Sequence, residues 1–111
     1  MISLSTHVLD TMHGRPASEM AVALSGPDGE IARGTTNADG RCPDLAPAGL
    51  APGRYMLRFS VAAYFRALGV ALPDPPFLDE VNVDFGIAGD GGHYHVPLLV
   101  SPFAYSTYRG S

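Results

Sequence analysis

The sequence predicts an all-β fold, a β-sandwich of two antiparallel sheets with about seven or eight short strands and one short helix. Three observations carry that expectation. Thirteen glycines and ten prolines are spread through 111 residues and cut the apolar positions into short runs. Several of those runs alternate apolar with polar residues at the period of two that a strand requires. Only one stretch, Val61 to Gly69 (VAAYFRALG), has the composition of a helix, about two turns long, with Gly69 as its stop.

Taken in order, Ile2 to Asp10 alternates Ile2, Leu4, Thr6 and Val8 with Ser3, Ser5, His7 and Leu9, which makes a first strand with His7 on the more polar face. Thr11 to Pro16 reads as a loop broken by Gly14 and Pro16. Met20 to Ser25 and Ile31 to Thr36 are the second and third strands, joined through Gly26-Pro27-Asp28-Gly29. Asn37-Ala38-Asp39-Gly40 is a turn that delivers Arg41, and Pro43 to Pro52 is irregular. Arg54 to Ser60 has the clearest alternation, Tyr55, Leu57 and Phe59 against Arg54, Met56, Arg58 and Ser60. After the helix, Pro73, Pro75 and Pro76 forbid regular structure, and Val81 to Ile87 alternates again. Gly89 to Gly92 turns the chain into a last hairpin.

In that hairpin Tyr94, Val96, Leu98 and Val100 face the core while His93, His95, Pro97 and Leu99 face outward. Ser101-Pro102 makes the turn, and Phe103, Tyr105, Thr107 and Arg109 share one face of the final strand. Pro97 requires either a bulge or an amide position that points away from a neighbouring strand. The outward face is apolar enough to call for a covering partner, so a homo-oligomer is expected.

The chain is one domain, residues 1–111. Its formal charge is −4, with seven arginines and no lysine, and no basic run suits nucleic acid. There is no apolar stretch of membrane-spanning length, and MISLSTHVLD lacks the pattern of a secretion signal. One cysteine, Cys42, makes no internal disulfide; the expected compartment is the cytoplasm.

His7, Arg41 and His95 are the candidate catalytic residues, although each has an ordinary reading as a surface or interface side chain. His93 and His95 share a strand face at a spacing zinc tolerates, yet no CxxC or HExxH accompanies them, so neither metal nor cofactor is expected. Cys42 beside Arg41 reads as an inert small residue. No carboxylate pair, phosphate loop or nucleophile elbow is present.

Four segments carry a family resemblance: THVLD with Gly14 and Pro16, TNADGR, GRYMLRF through AYF, and YHVPLLVSPFAYSTYRGS. Together they resemble the 5-hydroxyisourate hydrolases of the transthyretin-like family over nearly the whole chain, the ending TYRGS most specifically. The resemblance implies a transthyretin-like sandwich, a homotetramer and an active site in an inter-subunit channel. It implies catalytic roles for His7, Arg41 and His95, with substrate bound by Tyr108, Arg109, Gly110 and Ser111. Phe77 to Val81 departs from the family, whose members more often have a proline before the acidic residue.

Those residue types suit the opening of a ring amide by water. One imidazole serves as general base, a second orients or donates a proton, and the guanidinium fork stabilises developing negative charge. Ser111 and its carboxylate are expected to fix the water or shape the site, and the tail to complete the site across a subunit interface. The competing readings are a transthyretin-type carrier of small molecules and a non-catalytic sandwich domain. By resemblance, the carriers lack the histidine–arginine set and the TYRGS ending.

Overall fold

The computed structural model describes residues 1–89 and 91–110. Eight strands form two four-stranded sheets. The first has the order β2-β1-β7-β8, from β1 (Ser3–Asp10), β2 (Arg15–Pro16), β7 (His93–Val100) and β8 (Tyr105–Thr107). The second has the order β4-β3-β5-β6, from β3 (Ala21–Gly26), β4 (Gly29–Thr35), β5 (Gly53–Ser60) and β6 (Glu80–Ile87). Among the described residues a single helix, α1 (Val61–Ala67), follows β5, and Gly69 ends it with φ +83°. No helix among the described residues is long and apolar enough to cross a membrane.

The expected period of two is realised. Leu57 and Phe59 of β5, Val81 of β6 and Leu24 of β3 meet Val8 of β1 and Leu98 and Val100 of β7 in the core. Helix α1 buries Val61, Ala62, Tyr64 and Phe65, the adjacent positions on one side of a short helix, and so closes one end of the sandwich. Thr6 and Asp10 are the polar residues on the inner face of β1, and the Thr6 hydroxyl donates to the Val96 carbonyl at 2.7 Å.

Two expectations need correction. The sheets are not wholly antiparallel: β1 and β7 run parallel along their full length, from Ser3 opposite His93 to Asp10 opposite Val100. Their separation by the entire other sheet supplies the long crossover that a parallel pair requires. The segment read as a loop before Pro16 contains β2, a two-residue strand pairing Leu9 with Pro16 and Asp10 with Arg15. The Gly89 to Gly92 turn includes Asp90, which lies outside the described residues.

Pro97 explains why β8 is short. Leu98 pairs with Thr107 and His95 with Gly110, which is one continuous register. That register sets Tyr108 opposite Pro97, where the ladder lacks a donor. The Pro97 carbonyl points to this side and accepts from Thr107 Oγ1 at 2.7 Å. The proline nitrogen therefore faces the tail and not β1, and the parallel ladder is undisturbed.

At the far end of β1, Asp10 is fully buried. Its carboxylate accepts from Tyr64 OH at 2.7 Å, from the His13 ring at 2.6 Å and from the His13 backbone at 2.9 Å. Burial alone would push the Asp10 carboxyl up; the His13 and Tyr64 bonds together outweigh it and hold it below its ordinary value. The Tyr64 hydroxyl is pushed up to about 12 by burial and by the Asp10 charge. This contact ties α1 to the first sheet. Tyr64→Phe removes one bond to a buried charge, and urea unfolding should show a loss of about 1.5–3 kcal/mol with an unchanged denaturant slope.

Candidate active site

The outer face of β1 and β7 gathers the candidate residues. The parallel register sets Ser3 opposite His93, Ser5 opposite His95 and His7 opposite Pro97. His7 and His95 are thus diagonal neighbours on one face, brought from opposite ends of the sequence. Both are half-buried.

Arg41 joins them through the turn before it. Asn37 Oδ1 accepts from the backbone N–H groups of Asp39 and Arg41, each at 3.0 Å, and the Asn37 N–H donates to the Arg41 carbonyl at 2.8 Å. Gly40 has φ +76°, and its carbonyl accepts from Val8 N–H at 2.8 Å. A Cβ on Gly40 would lie 2.5 Å from the Val8 carbonyl oxygen and 3.3 Å from His7 Cδ2. Only glycine allows the turn to press this closely on β1. Arg41 then pairs with His7, backbone to backbone.

The tail closes the other side. Gly110 N–H donates to the His95 carbonyl at 2.7 Å. A Cβ on Gly110 would come 2.5 Å from His95 Cδ2, so the bare glycine backbone lies against the imidazole. The tail of the same chain therefore reaches His95 without help from a second copy. Tyr108 is exposed and, by the register, on the face that carries His95. Arg109 is not brought to the histidines: its guanidinium stacks 3.9 Å from the centre of the Tyr94 ring, on the opposite face, and Nη2 reaches the His93 carbonyl at 3.5 Å. Ser111 lies outside the described residues.

Sequence reasoning missed Ser3 and Ser5. Ser5 Oγ lies 2.7 Å from His95 Nδ1 and 2.8 Å from His93 Nε2, while Ser3 Oγ lies 2.6 Å from His93 Nδ1. Their alternation with His7 was visible, but only the parallel register shows that they face the histidines. Cys42 is buried, and burial, with Asp44 adding to it, pushes its thiol up, the opposite of an activated nucleophile. Among the described residues no group of three or more His, Cys, Asp or Glu side chains converges as metal ligands would. A concavity of about 1080 Å³ opens elsewhere, on the other sheet beside Arg54, Met56 and Asp84. It contains no histidine, and the chemistry of the β1–β7 face outweighs its size.

Burial first, then the positive charge of Arg41, His7 and His93, holds the His95 imidazole below its ordinary 6.5. The ring is therefore neutral at pH 7, with a lone pair available to take a proton. Because the folded value is depressed, the unfolded chain binds the proton first as pH falls. This contribution to stability is complete above 6.5 and lost as pH drops through the folded value. Imidazole NMR should show His95 titrating below 6.5, and Arg41→Gln should move that titration upward.

Residues 4–110 match the model of the HIUase/Transthyretin family. The 5-hydroxyisourate hydrolase of Ralstonia nicotianae is 53% identical over 97% of this chain and 97% of its own length. The solved structure of Klebsiella pneumoniae 5-hydroxyisourate hydrolase superposes with a TM-score of 0.88 at 38% identity, covering 100% of both chains. Sea bream transthyretin in complex with thyroxine superposes with a TM-score of 0.84 at 32% identity over 96% of this chain and 93% of its own. With sequence and topology in agreement over the whole sandwich, this chain belongs to the HIUase/Transthyretin family.

Proposed function

We propose that the chain hydrolyses 5-hydroxyisourate to 2-oxo-4-hydroxy-4-carboxy-5-ureidoimidazoline, a step of urate breakdown. The observation that carries this reading is the convergence of His7, Arg41 and His95 on one face, in a chain about half identical to hydrolases of that name. The similar transthyretin shares the fold, and fold alone does not decide between catalysis and carriage.

In this reading a neutral imidazole takes a proton from water as the oxygen attacks the ring amide carbonyl. The carbonyl oxygen becomes an oxyanion, and the Arg41 guanidinium stabilises that charge with its fork of donors. The carbon–nitrogen bond then breaks, and the imidazolium returns its proton to the leaving nitrogen. The depressed titration of His95 supports it as the base, with His7 orienting water or donating the proton. Gly110 shapes the wall against His95, and Tyr108 and Ser111 contact substrate from the tail. Arg109 belongs to this binding set less directly: stacked on Tyr94, it anchors the tail that carries them.

The protein works as a cytoplasmic homotetramer with the site at a subunit interface. Support comes from Phe103, Tyr105 and Tyr108, which are 61%, 47% and 58% exposed around the edge strand β8. Exposed aromatic area at a sheet edge, with Tyr108 on the His95 face, suits a second copy. Light scattering should give four times the 11.7 kDa chain mass; a monomer would remove the interface from the reading.

The deciding assay follows freshly generated 5-hydroxyisourate by ultraviolet absorbance against its unaided decay. Wild type should accelerate the decay, and His95→Ala and Arg41→Gln should each lower kcat/KM at least about 100-fold while the protein stays folded. Decay no faster than the control, in folded protein, would favour a carrier.

A further inference from the structure

The outer face of β1 and β7 holds a chain of hydrogen bonds that the proposed chemistry does not use. It runs from Ser3 Oγ to His93 Nδ1 at 2.6 Å, across the ring to Nε2, to Ser5 Oγ at 2.8 Å, and on to His95 Nδ1 at 2.7 Å. Two of these bonds, both to Ser5 Oγ, connect the half-buried His95 to the exposed His93, and the third carries the chain on to Ser3. We propose that Ser5 and His93 form a proton relay behind His95, carrying positive charge from the reacting imidazole to the protein surface.

The donor inventory permits two settings of the chain. In one, His95 Nδ1–H donates to Ser5, the Ser5 hydroxyl donates to His93 Nε2, and His93 Nδ1–H donates to Ser3. His95 Nε2 then carries a lone pair and acts as a base. When Nε2 takes a proton from the attacking water, Nδ1 releases its own to Ser5 Oγ. Ser5 passes its hydroxyl proton to His93 Nε2. His95 ends neutral with Nε2–H, Ser5 remains a hydroxyl and His93 becomes an imidazolium. One proton has entered at His95 and one positive charge has appeared at His93, so the step balances. The reverse shift restores the proton to the leaving nitrogen through His95 Nε2.

The relay answers an electrostatic difficulty. An imidazolium at His95 would be half-buried and would face Arg41, His7 and His93, the groups that already disfavour its charge. At His93 the same charge stands in solvent, where screening reduces its cost. The charged or titratable groups around the chain are His7 from β1, Arg41 from the preceding turn, and Arg109, which reaches the His93 carbonyl from the tail. No carboxylate among the described residues bonds either ring, so hydroxyls are the only side-chain link between them. Ser5 and His93 are positioning residues in this scheme, because they act through His95.

The inference rests on the hydrolase reading, and its test separates the two. Ser5→Ala, Ser5→Thr and His93→Gln are compared with wild type on 5-hydroxyisourate in mixtures of light and heavy water. Wild type should give a curved dependence of kcat on deuterium fraction, the mark of several protons in motion. Ser5→Ala and His93→Gln should lose about tenfold in kcat with KM unchanged, and the dependence should become linear. Ser5→Thr, which keeps the hydroxyl, should restore both. Wild-type kcat and curvature in Ser5→Ala, beside an inactive His95→Ala, would overturn the relay and leave the hydrolase standing. A lowered Tm with unaltered kcat in His93→Gln would reduce the chain to a strand clasp. An inactive wild type would remove both readings.

Discussion

The parallel ladder between β1 and β7 is the constraint on which the site depends. Side chains alternate on both strands with the same phase, so pairing Ser5 with His95 sends Ser3, Ser5 and His7 of β1 and His93 and His95 of β7 to the outer face. A shift of one residue would bury His7 and His95 and expose Val8 and Leu98. The inner face prevents that shift: Val8, Leu98 and Val100 are fully buried against Leu24, Leu57 and Phe59. At about 25 cal/mol per Å² of apolar surface, moving even a few such side chains into water exceeds anything the polar face could return. Core packing, not hydrogen bonding among the histidines, therefore holds the geometry of the candidate site.

Glycine and proline refine that placement at three points. Gly40 lets the turn touch β1, which sets Arg41 beside His7. Pro97 interrupts the β7–β8 ladder without affecting the parallel one, and Thr107 satisfies its carbonyl. Gly110 then restores the register and lies flat on the His95 ring. Strand, break and return occur within one hairpin, so the tail is positioned by backbone pairing and needs few side-chain contacts. Arg109 on Tyr94 is the exception, and it points away from the site.

Much of this was legible in the sequence. Alternation identified every strand but β2 to within a residue or two, and His7, Arg41 and His95, grouped by the family resemblance, do share a neighbourhood. What alternation cannot supply is direction. Period two is identical for parallel and antiparallel partners, and the first and seventh strands are separated by the whole second sheet. Hence Ser3 and Ser5 looked like ordinary polar positions, and Asp10 was weighed only for a partner carboxylate although His13 stands three residues away. Tyr64, which also binds Asp10, is far along the chain and invisible to any local rule. Arg109 was assigned with the tail as a unit, but adjacent residues on an extended chain face opposite ways. Of Tyr108, Arg109 and Gly110, Tyr108 and Gly110 share the outward face with His95.

Charge completes the argument. The chain as a whole is acidic, with a formal net charge of −4, yet the β1–β7 face gathers Arg41 and three histidines and shows no carboxylate bonded to them among the described residues. A local positive field on an acidic protein draws an anionic, oxygen-rich ligand to one place and repels it elsewhere. Burial and this same field both lower the proton affinity of His95, so one arrangement favours a nearby anion and a neutral imidazole together. An acidic residue beside His95 would undo both effects at once: it would weaken the pull on the substrate and raise the imidazole titration toward neutrality. Serine hydroxyls meet the requirement that a carboxylate cannot, since they bond the imidazoles without adding charge.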